Sequence, residues 1–188
     1  MPELQAARGA PLSRTGDPGV PTTTRLALLV AVLGVVTDLL SKQVAVHELT
    51  GRAPVSVLGE VLQLRLVRNP GAAFSAGASL TPVISVVAVV ATLVVSYFAF
   101  RVRHRGWAVA LGLLLAGVSG NLIDRIFRAP GPFRGHVVDF FALPNWPVFN
   151  VADICIDVAG ALFVLLLLRG APFDGQRDLD RAPAGSDR

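Results

Sequence analysis

The sequence predicts a membrane-embedded, all-α bundle of four transmembrane helices with a small extracytoplasmic β-sheet. Hydrophobic residues make up 53% of the 188-residue chain and charged residues only 16%, which is more apolar than a soluble core of this size requires. Four apolar runs are each close to the roughly 20 residues that a helix needs to cross a bilayer. Outside these runs, residues 62–66 alternate apolar and polar side chains, as a half-buried strand does.

The basic residues lie mainly at the ends of the apolar runs and in the turns between them. In a soluble chain, the net charge of +4 would suggest nucleic acid as a partner, but this placement is typical of topology signals in a membrane protein. We therefore expect no nucleic-acid partner. The short turn 101–106 contains three arginines and is predicted to be cytoplasmic by the positive-inside rule. Both termini are then predicted to be cytoplasmic as well.

The predicted membrane domain occupies residues 25–168 and lies between two tails. The N-terminal tail, residues 1–24, is rich in Pro, Gly, Thr and Arg. The C-terminal tail, residues 169–188, is charged and rich in Gly, Pro and Asp. Because neither tail has apolar periodicity, both are predicted to be disordered.

The first span is predicted at residues 26–46. Asp38 and Lys42 are four residues apart in it, on one helical face and in the order that favours an ion pair. A structural pair that makes the outer end of the helix polar is predicted, rather than a catalytic one. From residue 47 to residue 80 the chain is predicted to lie outside the membrane. There a Pro-Gly turn follows Asn69, whose amide is suited to bonding a neighbouring backbone group.

The second span, residues 81–100, is almost entirely apolar and carries no chemistry. The third span, residues 107–126, ends with Asn121 and Asp124, which share a face, and with Arg125 beside them. For each of these three residues alone, a structural role is as well supported as a catalytic one. A stripe of small residues at four-residue spacing, which allows another helix to approach closely, runs through the same span at Gly112, Ala116 and Gly120.

The fourth span, residues 151–168, follows an external segment, residues 127–148, that is punctuated by prolines and contains Asp139. Asn150 is predicted to be the N-cap of the fourth helix. Asp153 is then the third residue of that helix, where an acid interacts favourably with the helix dipole. A capping role alone would not explain a second acid and two asparagines at the same face of the membrane.

Asp139 and Asp153 are the carboxylates that the sequence predicts to be catalytic. Both lie beside long apolar runs, where an ionised carboxylate costs about 2.5 to 3.5 kcal/mol at the bilayer centre and less near the interface. Two such groups close together share one proton, so the pair offers an acid and a base at once. This predicts proteolysis by paired aspartates, with no metal and no cofactor. The single cysteine, Cys155, lies in an apolar run and is predicted to pack as a small hydrophobe.

Two other functions use the same residue types. A small proton-coupled transporter also needs intramembrane carboxylates, but its polar groups would extend through the membrane, whereas here the acids gather toward one face. A non-catalytic assembly factor would need polar pairs only to hold its helices together. Under that alternative, replacing both Asp139 and Asp153 by asparagine should leave cellular function intact.

Five ordered blocks make the chain resemble bacterial lipoprotein signal peptidase, the type II signal peptidase, along residues 26–168. Each block alone is weak evidence for the family, but the occurrence of all five in order on four spans is highly specific. The blocks are Asp38-Leu39-Leu40-Ser41-Lys42, Asn69-Pro70-Gly71-Ala72-Ala73-Phe74, Gly120-Asn121-Leu122-Ile123-Asp124-Arg125, Val137-Val138-Asp139-Phe140 and Phe149-Asn150-Val151-Ala152-Asp153.

The resemblance implies an aspartic endopeptidase of the bacterial cytoplasmic membrane, with its site toward the extracytoplasmic face and its external sheet cradling the substrate. Its partners would be membrane lipids and prolipoproteins, cut just before a diacylglyceryl-modified cysteine, and we expect a monomer without cofactors. The resemblance assigns catalysis to Asp139 and Asp153, and Asp124 is expected to be held ionised by Arg125 instead. By resemblance, the residues that position the substrate backbone are Asn69, Asn121, Arg125 and Asn150, and those that support the site are Asp38, Lys42 and Asp124.

The chain departs from the usual family pattern in three places. Ala116 stands where a glycine is common, which should affect packing more than chemistry. The segment between the two predicted catalytic acids is shorter than in many relatives, so the family pattern does not predict the size of the lid over the site. Asp157, four residues beyond Asp153 and on the same helical face, adds a third carboxylate. It is expected either to raise the pKa of a neighbouring acid or to pair with a base.

Overall fold

The structure is a computed structural model that describes residues 20–71 and 80–174. It confirms the predicted bundle, because four helices are long and apolar enough to span a membrane. The predicted tails lie outside the described residues, apart from residues 20–24 and 169–174. The helices are α1 (Thr22–Leu49), α2 (Thr81–Arg101), α3 (Arg105–Phe127) and α4 (Val151–Leu168).

The helix α1 is longer than the span predicted at residues 26–46. Its 28 residues extend over about 42 Å, which exceeds the roughly 30 Å of a bilayer's hydrocarbon core. Its last turns pack against the sheet, where Ala45 and Leu49 form one buried cluster with Val138 and Phe140. The first helix therefore carries the sheet beyond the end of the bundle.

The helix α3 is central, since α1, α2 and α4 all pack against it. The small-residue stripe explains how closely α1 approaches. A Cβ atom on Gly112 would lie 2.6 Å from the carbonyl oxygen of Ala27, and the Cβ of Ala116 occupies the space beside Gly34. By contrast, α2 and α4 do not contact each other in the described part of the chain. One side of α3 is thus left uncovered between them.

The external sheet is antiparallel, and its three strands lie in chain order. They are β1 (Val55–Leu58), β2 (Leu62–Asn69) and β3 (Val137–Ala142). Strand β2 contains the alternating stretch and confirms that prediction. Strand β3 was not predicted within the segment 127–148. Its first four residues are all buried, so its sequence lacks the alternation of apolar and polar residues that identifies a half-buried strand.

The pairing of β2 with β3 brings two predicted site residues together. Val67 lies opposite Asp139, and Asn69 lies opposite Val137. Asn69 ends β2 and Asp139 is the third residue of β3, so both lie at the end of the sheet next to the bundle. The last turns of α3 and the first turn of α4 meet them there.

Candidate active site

Asn150 contacts both predicted catalytic acids. Its side-chain Nδ2 donates to Oδ1 of Asp139 at 2.6 Å, and its backbone N–H donates to Oδ2 of Asp153 at 3.1 Å. Its Oδ1 accepts the backbone N–H of Asp153 at 3.0 Å. These last two bonds form a capping box at the start of α4, which confirms the predicted N-cap. One residue thus begins the helix and holds the two carboxylates next to each other.

The second carboxylate oxygen of Asp139 accepts a hydrogen bond from a residue of the sheet. Nδ2 of Asn69 donates to Oδ2 of Asp139 at 2.9 Å. Oδ1 of Asn69 accepts the backbone N–H of Gly71 at 2.8 Å, which fixes the orientation of the Asn69 amide. Asp139 is only 2% exposed, so two amide donors replace water as the hydrogen-bond partners of its carboxyl group.

Burial dominates the electrostatics of Asp139. It raises the pKa of this carboxyl from 3.8 to about 6, because removal from water disfavours the charged form. The bonds from Asn69 and Asn150 and the charge of Lys42 lower the pKa, and the charge of Asp153 raises it. Asp139 therefore takes up a proton at about pH 6, where an ordinary aspartate is ionised.

Asp153 lies in different surroundings. It is half-buried, and its Oδ1 accepts a hydrogen bond from Nδ2 of Asn121 at 2.8 Å. Both its oxygens thus accept N–H donors, since the Asn150 backbone bonds the other. As an acid in the first turn of α4, it also faces the positive end of the helix dipole. Asp153 thus accepts one hydrogen bond from α3 and one from the start of its own helix.

Lys42 connects α1 to the acids through Asn121. Its side chain is fully buried, and its Nζ lies 2.7 Å from Oδ2 of Asp38 and 3.1 Å from Oδ2 of Asp124. Nζ also donates to Oδ1 of Asn121 at 3.0 Å. The same oxygen accepts Nδ2 of Asn150 at 3.1 Å. Two donors on Oδ1 turn the NH₂ group of Asn121 toward α4.

Asp38 and Lys42 form the predicted ion pair. Both side chains are fully buried inside the bundle. Oδ1 of Asp38 accepts the backbone N–H of Ala152 at 2.9 Å, and Gly120 of α3 lies directly beside the same carboxylate. The pair therefore joins α1 to both α3 and α4 below the two catalytic candidates.

Asp124 is engaged as expected, but the predicted partner is wrong. Lys42 and Arg128 form ion pairs with it, and the backbone N–H of Val138 donates to its Oδ2 at 3.1 Å. Among the described residues, no hydrogen bond or ion pair joins Asp124 to Arg125. Adjacent residues point about 100° apart on a helix, whereas Arg128 is one turn away. The acid-before-base spacing of four residues was the signal that would have identified Arg128.

Arg125 faces the site with an unused donor. The residue is 8% exposed, and its Nη1 is buried without a hydrogen-bond partner among residues 20–71 and 80–174. A Cβ atom on Gly71 would lie 3.5 Å from Nη1, so the guanidinium group lies against the turn that follows Asn69. A buried donor without an acceptor is costly, and a ligand carbonyl would remove that cost.

Two further predictions concern α4. Cys155 is buried and lies beside Gly34, which confirms that it packs as a small hydrophobe. Asp157 is exposed, and the predicted base partner is not found in the part of the chain that the structure describes. Within the same residues, no three His, Cys, Asp or Glu side chains are arranged to hold a metal ion.

Known proteins resemble the chain over most of its length. A family model described as "Signal peptidase (SPase) II" matches residues 30–169. The lipoprotein signal peptidase of Rhodococcus jostii (strain RHA1) is 46% identical over 167 residues, which cover 88% of this chain and 84% of that protein. The lipoprotein signal peptidase of Mycobacterium tuberculosis (strain H37Rv) is 40% identical over 191 residues, covering 96% of this chain and 95% of that protein.

The fold also matches a solved structure, described as a bacterial membrane enzyme. The TM-score is 0.66 at 26% sequence identity, and the match covers 76% of this chain and 92% of the other. The comparisons give no support to the transporter alternative.

Proposed function

The chain belongs to the signal peptidase II family, and we propose that Asp139 and Asp153 are the catalytic pair with which it cleaves prolipoproteins. Membership makes the chain a multi-pass bacterial membrane peptidase that removes signal peptides from prolipoproteins. The aspartic mechanism and the choice of residues are the proposal. The observation that carries it is Asn150, which donates to both carboxylates and so holds two acids within reach of one peptide bond.

The surroundings of the two acids suggest different roles. Asp139, with its pKa raised to about 6, carries the proton of the pair and acts as the general acid. Asp153, which accepts two N–H donors at the start of α4, acts as the general base. A proton donor and a proton acceptor held side by side form the arrangement needed for hydrolysis of a peptide bond.

In the proposed reaction, Asp153 takes a proton from water while the water oxygen bonds to the carbonyl carbon, and Asp139 gives its proton to the carbonyl oxygen. The resulting intermediate carries two hydroxyl groups. Asp153 then gives its proton to the nitrogen, and the C–N bond breaks. Asp139 takes a proton from one hydroxyl as the carbonyl re-forms. The products are a signal peptide with a new carboxyl group and a lipoprotein with a free amine, and both acids return to their starting states.

Arg125 and Asn69 position the substrate backbone in this proposal. Nη1 of Arg125 has no acceptor among the described residues, and it lies against the turn that follows Asn69. A substrate carbonyl is the acceptor that this donor lacks. Because a guanidinium group makes charge-assisted hydrogen bonds, which are stronger than neutral ones, Arg125 would fix the peptide close to the two acids.

The substrate is proposed to enter from the membrane on the uncovered side of α3. Helices α2 and α4 both pack on α3 but do not contact each other in the described residues, while α1 contacts both of them. We place the entry path between α2 and α4, leading to the candidate site. Its apolar walls suit the signal helix and the acyl chains of a diacylglyceryl-modified cysteine, and membrane lipids would fill it otherwise.

The proposed orientation places the site on the extracytoplasmic side and both termini in the cytoplasm. Arg101, Arg103 and Arg105 are exposed in and beside the turn between α2 and α3, and such turns stay in the cytoplasm. Asn121 lies about 24 Å further along α3, close to the opposite membrane face. All the proposed site residues come from one chain, so a monomer would suffice.

The test uses purified protein in detergent and a diacylglyceryl-modified prolipoprotein, with cleavage followed by the change in substrate mass. Asp139→Asn and Asp153→Asn should each abolish cleavage. Asp124→Asn should keep some activity when folded, because this acid supports the site without touching the substrate. Glu60→Gln changes an exposed carboxylate outside the site and should match wild type. Cleavage that persists in folded Asp139→Asn would overturn the choice of pair.

A further inference from the structure

Asp157 is an exposed carboxylate within a membrane-spanning helix. It is the seventh residue of α4, one turn and about 6 Å further into the membrane than Asp153. The described residues give it neither a hydrogen bond nor an ion pair. An acid in a transmembrane segment is costly and is usually retained because it faces a partner, a cavity or a substrate pathway.

The contacts of α4 show which way Asp157 points. Ile156 packs beside Gly117 of α3, and Cys155 lies beside Gly34 of α1. At 100° per residue, Asp157 then lies on the side of α4 that faces away from α1, within about 40° of Asp153 around the helix axis. Gly160 belongs to the same side, and a Cβ atom there would meet nothing within 4 Å. Asp157 therefore borders open space at the proposed entry path.

Cleavage requires hydrogen-bond acceptors for the backbone N–H groups of the residues next to the cleaved bond. The signal segment crosses the membrane as a helix, but it must be extended where water attacks. Unwinding a helix leaves backbone N–H groups without acceptors, and inside a bilayer no water replaces them. An exposed carboxylate one helical turn below the catalytic pair provides such an acceptor.

We propose that Asp157 binds the signal segment by accepting a backbone N–H from the second or third residue before the cleaved bond. The position follows from the spacing, because about 6 Å corresponds to two residues of extended chain. This inference rests on the proposed function and adds one substrate-binding residue to it. Asp157 takes no part in the proton transfers.

The test compares substrates that differ in one atom. Synthetic diacylglyceryl prolipoprotein peptides are made with all amides, or with one ester replacing the amide N–H of the first, second or third residue before the cysteine. Cleavage of each by wild type and Asp157→Leu is measured as kcat/KM. In wild type, an ester at the second or third position should lower kcat/KM by about tenfold or more, as expected for a lost hydrogen bond to a charged acceptor.

For the amide peptide, kcat/KM of Asp157→Leu should be at least about tenfold lower than that of wild type. With Asp157→Leu, an ester at the sensitive position should not lower kcat/KM any further. Asp157→Asn keeps an acceptor oxygen and should retain most of the amide preference. Val158→Leu, at an exposed position about 100° around α4 from Asp157, should behave as wild type. The same amide-to-ester ratio in wild type and Asp157→Leu would overturn the inference. Failure of wild type to cleave the amide peptide would instead overturn the proposed function.

Discussion

Replacing Asp139 by asparagine should stabilise the folded protein even though it abolishes cleavage. The pKa of Asp139 is raised from 3.8 to about 6, so folding disfavours its charged form. A carboxamide has the shape of the neutral acid but cannot ionise. Because its NH₂ group cannot accept a hydrogen bond, one of the two amide donors from Asn69 and Asn150 loses its acceptor at every pH. The substitution removes the cost of burying a charge and keeps the packing.

The size of the effect depends on pH. Well below about pH 4 the acid is neutral in the folded and the unfolded protein, so only the lost hydrogen bond separates the two variants, and asparagine should be less stable by about 1 kcal/mol. As the pH rises to about 6, wild type loses stability, because the unfolded chain ionises more readily. Above that, the stability of Asp139→Asn relative to wild type should have risen by about 3 kcal/mol, the free-energy equivalent of the raised pKa. For a chain of this length this corresponds to roughly 6 to 12 °C in Tm.

Thermal unfolding in detergent measures this gain through the fluorescence of Trp107 and Trp146, the two tryptophans of the chain. Wild type and Asp139→Asn are compared at about pH 4 and about pH 8, with exposed Glu60→Gln as the control. The Tm of Asp139→Asn should be equal to or slightly below that of wild type at the lower pH, and several degrees above it at the higher pH. An equal Tm at about pH 8, or a gain that does not change with pH, would refute the burial argument.

Three further outcomes follow from other contacts. Lys42→Met leaves two buried acids without their shared cation and should cost about 3 to 5 kcal/mol, so an unchanged Tm would contradict the network. Gly117→Ala places a methyl group against Ala152 and should lower Tm. In Gly160→Ala the new methyl group meets nothing within 4 Å, so this variant should be more stable by up to about 1 kcal/mol. Similar shifts of Tm in both variants would contradict the packing. Because Asp139 must carry a proton, kcat/KM should fall as the pH rises above about 6, with an apparent pKa that belongs to the pair, and a rate that keeps rising with pH would contradict this role.

The sequence was sufficient for features that depend on local patterns. The four spans follow from the length of the apolar runs, and the start of α4 follows from Asn150 and Asp153 at capping positions, which the structure joins in a capping box. The predicted site residues also belong to one network of contacts, because the blocks that contain them lie at the same end of their helices or strands.

Features that depend on contacts between distant segments could not be predicted in this way. Lys42 bonds Asn121 across 79 positions, and no periodicity reveals which residue a buried lysine meets. Strand β3 is buried at its first four positions, so it lacks the alternation that identified β2. The raised pKa of Asp139 is another such feature, because it comes from burial under segments that are far away in the chain.

The most direct test of the central claim is the cleavage rate of the double variant Asp139→Asn/Asp153→Asn beside the two single variants. If the acids act as one unit, each single variant should lose at least about a thousandfold in kcat, and the double variant should be no slower than the slower single one. Losses that multiply in the double variant, or a single variant with nearly wild-type activity, would show that Asp139 and Asp153 do not form a catalytic pair.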